Sequence, residues 1–406
     1  MKYNILSRLA NWYQMKSMTP AQKALWEELF LAGAASGVTV TWRTALEFSV
    51  SLACARAIAT GLMVPFKLFQ TDGKQRVPAS DDKRYFLLHN SPNDWQTGPD
   101  FFETIGYHLV FCGNAFVWKN IVDGRILELL IYEPGMVTVE RDGWELRYKV
   151  MPDGGSPIEI PAEQMWHIRG PSWNAWSGME GVKLARHVLG LGMAQQNYGS
   201  KFFKNNALPS GILSSEQAYP GPEKAAAMRE AWQAAHGGDN AQGTATLWNG
   251  MKWYPLSVQN DNAQFLESRK FQVEEICRMF GVNPLIVFYS DKTSTYASAE
   301  QFFTQHVVHD LMPWYVRLEM SACKNLLTEK EWMGGKYFKF LANGLMRGSL
   351  KDRVAYYEGL SRIRAIKPNE VRELEEMNPY EGGDEFPVLQ GQGAQPNAEN
   401  GNSNNE

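Results

Sequence analysis

Apolar residues spaced three and four apart alternate along this chain with short runs spaced two apart, so helices and strands can be placed in order. Thr19–Ala35 has a helical pattern, with Thr19 as its cap and Pro20 suited to the first turn. Leu46, Val50, Ala53, Ala57 and Ile58 share one face of a helix predicted over Thr41–Gly61. Val64–Gln70 reads as a strand and Thr71-Asp72-Gly73 as a turn. A short helix is predicted over Asp81–His89, stopped before Ser91-Pro92-Asn93. Pro99–Cys112 follows as a helix capped by Thr97 or Gly98, with Phe101, Phe102, Ile105, Leu109 and Val110 as its apolar stripe. After Gly113-Asn114 the period falls to two. Ala115–Val122, Ile126–Glu133, Val137–Glu140 and Trp144–Val150, turning at Asp123-Gly124 and Asp142-Gly143, predict one small antiparallel sheet. Met165–Arg169 reads as a further strand.

Beyond Trp176-Ser177-Gly178 the pattern lengthens. Val182–Asn206 is one helical stretch, and its cations Lys183, Arg186, Lys201 and Lys204 face no acid within it. Pro209, Pro220 and Pro222 interrupt, and a compact insert follows. It comprises a helix at Glu223–His236, a turn at Gly237–Asn240, and strands near Thr244–Trp248 and Lys252–Pro255. Asp261–Phe280 is helical again. A polar loop without glycine, Ser290–Ser298, then runs into a helix over Ser298–Leu327, which Pro313 should kink. Lys351–Leu360 and Pro368–Met377 are short helices, and the Gly, Gln, Asn and Ser after Gln390 predict a disordered tail.

Composition narrows the class. The length argues for two to four modules. A net charge of −4 is wrong for a protein that clamps nucleic acid with a basic face, yet compatible with one that lets it slide past. Cys54, Cys112, Cys277 and Cys323 form no CxxC pair and read as buried free thiols in a reducing compartment. Fourteen tryptophans, several in polar surroundings, point to subunit contacts. The first residues lack the apolar core of a secretory signal. Ala45–Phe66, the most lipid-like stretch, carries Glu47 and Arg56 and reads as a buried helix, so no membrane partner is expected.

Candidate chemistry is sparse. Gly190-Leu191-Gly192 lies inside a helix, not between a strand and a helix as a dinucleotide loop would. Gly334-Gly335-Lys336 lacks both the upstream glycine and the Ser or Thr of a phosphate loop. His306 and His309 could meet on one helix face, but no matching ligand set lies upstream. No Gly-x-Ser-x-Gly elbow occurs. No catalytic residue, cofactor or metal is therefore expected. Lys292, Thr293, Ser294, Thr295 and Tyr296 form the candidate nucleic-acid contact.

An ordered series of fragments resembles the portal proteins of tailed bacteriophages with HK97-type capsids. It runs Ser91-Pro92-Asn93, Gly113-Asn114-Ala115-Phe116, Phe202-Phe203-Lys204-Asn205, Pro209-Ser210-Gly211-Ile212-Leu213 and Glu267-Ser268-Arg269. It continues through Phe280-Gly281-Val282-Asn283-Pro284, Thr295-Tyr296 with Glu300-Gln301, Leu311-Met312-Pro313 and Asn369-Glu370-Val371-Arg372. The likeness spans about Val50–Gly383. It implies an α+β portal architecture: an α/β wing over 1–181, a first stem helix over 182–208, a small α/β clip over 209–258 and a second stem helix over 259–282. A tunnel loop over 283–298, a long kinked helix and wing return over 299–349, a helical crown over 350–389 and the tail over 390–406 complete it.

The resemblance also implies a homo-oligomeric ring, usually of twelve subunits, at one capsid vertex of the virion, assembled in the host cytoplasm. Its implied partners are the terminase large subunit, head-completion or adaptor proteins, the major capsid protein and scaffold, and double-stranded DNA held without sequence preference. Glu223, Lys224, Arg229, Glu230 and Trp232 would present the clip to such partners. Lys292–Tyr296, repeated around a ring, would make a weak belt of phosphate contacts. Asn283 stands where the family commonly has proline, which would leave the start of the loop less rigid. Two other classes compete: a ring-forming adaptor that never touches DNA, and a soluble α/β hydrolase whose nucleophile and base the sequence does not display.

Overall fold

The computed structural model describes residues 34–73, 75–152, 155–204, 212–214, 221–236, 252–254, 262–288, 302–342, 350–375 and 377–386. The predicted helix at Thr19–Ala35, the turn at Gly237–Asn240, the strand at Thr244–Trp248 and the tail therefore lie outside the described residues, apart from Ala34 and Ala35. The chain divides into two units, Met1–Leu341 and Ala342–Glu406.

In the first unit Thr41 and Thr44 cap each other's backbone to start α1 (Trp42–Glu47). The sequence predicted one helix to Gly61, but the chain breaks at Phe48 and restarts as α2 (Ser49–Gly61). Phe48 is extended, and the Ser51 hydroxyl donates to the carbonyls of Phe48 and Ala45, rewarding the break. Then come β1 (Phe66–Asp72), β2 (Gln75–Pro78), α3 (Lys83–His89) and α4 (Gly98–Cys112). Thr97 is the cap of α4, in a reciprocal pair with Asp100.

Of the strands β3 (Asn114–Val122), β4 (Arg125–Tyr132), β5 (Val137–Asp142), β6 (Glu145–Val150), β7 (Ile158–Ile160) and β8 (Met165–Arg169), the first four were expected in one sheet, β8 as a further strand, and β7 was not anticipated. They form two instead, ordered β4-β3-β8 and β5-β6-β7. A 3-10 turn at Pro134–Met136 carries the chain off the first sheet, and β8 returns to pair with β3, Asn114 opposite Arg169. Next are α5 (Gly181–Lys204), β9 (Ile212–Ser214), α6 (Pro222–His236), β10 (Lys252–Tyr254) and α7 (Asn262–Phe280). The unit closes with α8 (Met312–Leu326), α9 (Glu329–Met333) and β11 (Lys336–Phe340). β11 pairs antiparallel with β1, Phe66 opposite Phe340, so a third sheet is ordered β11-β1-β2.

The expected kink at Pro313 takes a specific form. His306–Leu311 is π-helical, and the Met312 N–H reaches back five residues to the Val307 carbonyl. Proline cannot donate and its ring crowds the carbonyl four residues back; the wider turn just before it accommodates both. Leu311 packs on Gly61, and the Tyr315 hydroxyl donates to the Gly61 carbonyl at 2.6 Å. Under the third sheet Phe66, Phe102, Phe338 and Phe340 cluster at ring separations of 4.3–5.5 Å. A second core joins α2, α4, α5 and α7, and buries Ala45, Phe48, Cys54, Ala55 and Ile58, one face of the stretch Ala45–Phe66.

An ion network ties α3 to the end of the unit. Arg84 donates to Asp82 at 2.6 Å and to Glu331 at 2.5 Å, and Lys336 lies 3.0 Å from Asp82. Burial opposes ionisation of Asp82, but its bonds to Arg84 and Lys336 prevail and hold the carboxyl far below its usual range. The Arg84 bond holds Glu331 at about 2. Both carboxylates titrate lower folded than unfolded, so their stabilisation is present above about pH 4.5 and lost as pH falls toward about 2. Arg84→Ala should remove about 2–3 kcal/mol at neutral pH, less than a fully buried pair, and flatten that acid slope in urea titrations.

In the second unit, α10 (Leu350–Arg362) and α11 (Pro368–Leu374) are joined by Arg353 and Tyr357, which both reach Glu375. Asn369 is buried, and its side chain exchanges hydrogen bonds with the backbone of Tyr380.

Candidate functional site

The helices α5 and α7 run antiparallel and in contact. Buried Gln272 donates to the Val188 carbonyl at 2.6 Å, Gln195 to the Ser268 hydroxyl at 2.8 Å, and Tyr198 meets the Phe265 ring edge-on. The two glycines of Gly190-Leu191-Gly192 find their use here. A Cβ at Gly190 would overlap Ala34, and one at Gly192 would press on Phe48 and Gln272. They bring α5 close to its neighbours, and no phosphate cradle is formed.

The four cations of α5 follow its helical period. Lys183 and Lys201 are eighteen residues apart, five full turns, as are Arg186 and Lys204, so the set falls within a sector of about 60°. They do not form a continuous rail. Gly190 falls in the same sector midway and is covered by Ala34, Ser36 and Val40, leaving two pairs about 27 Å apart. Lys183 is exposed and pairs at 2.6 Å with Glu180, just ahead of the acid-free stretch. Arg186 is half-buried beside His187, Lys201 is exposed, and the Lys204 side chain is outside the described residues. Arg269 and Lys270 of α7 are also exposed, cations that the sequence reading passed over.

Leu184, Leu191 and Tyr198 recur every seven residues on α5 and are 58%, 48% and 55% exposed. They form an apolar stripe beside the cation sector. On α7, Leu266 and Phe271 are exposed as well.

Between these helices lies the insert. β9 and β10 pair antiparallel, Ile212 opposite Tyr254, and α6 presents Glu223, Lys224 and Glu230 to solvent with Trp232 half-buried. The side chain of Arg229 is outside the described residues, as are Lys292, Thr293, Ser294, Thr295 and Tyr296. The approach to that loop is described. Gly281 turns α7 out at φ +68°, and the Asn283 carboxamide accepts the Leu285 N–H at 3.0 Å, capping a 3-10 turn at Pro284–Val287. The carboxamide thus restrains the backbone just after the position where the family commonly has proline. Phe288 ends the turn at φ +60°, 89% exposed.

At the far end of α4, Gly113 and Asn114 join three elements. Gly113 is left-handed at φ +71°, and its carbonyl accepts the Gly170 N–H at 2.7 Å. Asn114 accepts the Gly178 N–H at 2.8 Å, and His167 Nε2 donates to the same oxygen at 2.9 Å. The Tyr148 hydroxyl then donates to His167 Nδ1 at 3.3 Å. Burial, helped by Arg169, lowers the His167 pKa to about 3, so the ring is neutral and holds one tautomer. His306 bonds Asp310 on its own turn at 2.7 Å. Among the described residues no group of His, Cys, Asp or Glu is arranged to hold a metal, and no helix is long and apolar enough to cross a membrane.

Comparison with known proteins agrees with the ordered fragments. The sequence model of the family described as phage portal protein matches residues 49–376. The chain is 31% identical over 371 residues to a probable portal protein of Streptomyces phage phiC31, covering 87% of this chain and 79% of that protein. It is 27% identical over 401 residues to the portal protein of Enterobacteria phage HK97, covering 94% and 93%. Its fold is similar, at TM-score 0.54 and 19% identity, to a chain in the neck of a native gene transfer agent particle computed with C12 symmetry, covering 87% of this chain and 99% of that one.

Proposed function

The chain belongs to the phage portal protein family, and from that premise we propose that about a dozen copies close a ring at one vertex of the virion. In this reading the ring is a passive conduit for packaging and ejecting double-stranded DNA, assembled in the host cytoplasm. The terminase large subunit, and later head-completion or adaptor proteins, dock on the insert around Glu223, Lys224, Arg229, Glu230 and Trp232. The major capsid protein and scaffold surround it.

One observation carries the proposal: Leu184 and Leu191, seven residues apart on α5, are about half exposed on a helix pair otherwise firmly packed. A ring of identical subunits needs two different complementary patches on each copy. These leucines are one, and exposed Leu266 and Phe271 of the next copy's α7 supply the other. The cations at each end of α5 and the loop at Lys292–Tyr296 then meet DNA. A net charge of −4 suits sliding, since every added phosphate contact would deepen a trap.

Light scattering and negative-stain images of one purified fraction test the ring. A holed particle of about twelve chain masses is expected. A chain that stays monomeric with capsid protein and scaffold present overturns the proposal. Glycine at Ser294, Thr295 and Tyr296 should reduce DNA retention in packaged particles; unchanged retention would favour an adaptor that never grips DNA.

A further inference from the structure

Two of the four thiols meet across the second core. Cys54 of α2 and Cys277 of α7, 223 residues apart in sequence, are fully buried with their sulfurs 3.8 Å apart. Both belong to the same apolar core as Ala55, Ile58, Val110, Phe111 and Ile276. Cys54 donates its S–H to Cys277, and that bond lowers the pKa of Cys277 while Cys54 is pushed far up. The next residue of α7, Arg278, is exposed, so the helix that carries Cys277 borders solvent on another face. A disulfide needs the sulfurs at about 2.05 Å, an approach of roughly 1.8 Å that side-chain rotation and a small helix shift can share.

We propose that Cys54 and Cys277 are an oxidisable latch between α2 and α7, closed to an intramolecular disulfide by a peroxide. Cys277 gives up its proton and its sulfur attacks one peroxide oxygen. The O–O bond breaks, water leaves, and a sulfenic acid remains. The Cys54 sulfur then attacks the Cys277 sulfur; the S–S bond forms, the S–O bond breaks, and hydroxide departs with the Cys54 proton as a second water. Two thiols lose two electrons and one peroxide is reduced to two waters. Both sulfurs are covered, so the oxidant must enter through local opening of α7, to which peroxide, close to water in size, is suited and larger disulfides are not.

Closure pins the last turn of α7, just before Gly281 and the capped turn at Asn283, onto α2. The element leading to the 283–298 loop is thus fixed covalently once the protein leaves a reducing interior. That timing rests on the portal reading; the chemistry of the pair does not.

The full chain is treated with a small excess of hydrogen peroxide, unfolded, blocked with N-ethylmaleimide, and peptide-mapped, alongside a Cys112→Ala, Cys323→Ala variant that keeps only the pair. Expected are a loss of about 2 Da per chain, a linked Cys54–Cys277 peptide in both proteins, and a raised melting midpoint that dithiothreitol reverses. In Cys54→Ala the sulfenic acid at Cys277 should be trapped by dimedone with no cross-link. If that variant does not fold, the map of the paired-thiol variant decides alone. Maleimide adducts on both Cys54 and Cys277 of peroxide-treated protein, alkylated after unfolding, or sulfinic acid at Cys277 with Cys54 free, would overturn the latch. The map is read from purified chain whether or not rings form, so its result is separate from that of the assembly test.

Discussion

Gly113→Ala should destabilise the first unit by about 3–5 kcal/mol, the range reached by few single substitutions. The residue is held at φ +71°, where a Cβ alone is costly, and that Cβ would fall 2.1 Å from the Met179 carbonyl oxygen. The neighbour cannot step aside cheaply. Met179 donates its own N–H to Pro171, and Gly113 is fastened to Gly170 through its carbonyl. Relief would have to break the bonds that Asn114 makes with Gly178 and His167. Urea unfolding followed by tryptophan fluorescence reads the result. A midpoint within about 1 kcal/mol of the parent would show that the junction yields, and the account of Gly113-Asn114 would fail.

The second large effect concerns assembly. A Leu184→Asp, Leu191→Asp variant should keep the fold of the single chain, since both positions are about half exposed and such surface changes shift stability by about 0.5 kcal/mol. Ring formation should nonetheless weaken at least ~100-fold, because each seam would bury carboxylates without partners. Analytical ultracentrifugation over a concentration series separates the two outcomes. Rings of full mass at the parent's concentration would remove the α5 stripe from the seam.

How far the sequence revealed this depends on the range of each cause. The turn at Asp123-Gly124, with φ of 51° and 73°, and the Thr97 cap are decided within four residues, and both were legible. The break at Phe48 was missed because a hydroxyl three residues on decides it, against a helical apolar pattern. One sheet was expected where two exist because β8 returns to β3 from over forty residues away, which alternation alone cannot signal. At the site, the cations of α5 were visible, but their separation by Ala34–Val40 lies in tertiary packing. Asn283 was read for the proline it replaces, and its capping carboxamide was overlooked.

The pairing of β1 with β11 also sets a clock. Phe66 faces Phe340, so the inner strand of that sheet waits for some 270 further residues to leave the ribosome. At about 5–20 residues per second the wait is roughly 15–55 s. Throughout it, Phe66 and Leu68, later fully covered, lie on an unpaired edge prone to capture by another nascent chain. Yield in the host would then be governed by chaperone supply and translation speed upstream of Lys336 more than by the stability of the finished fold.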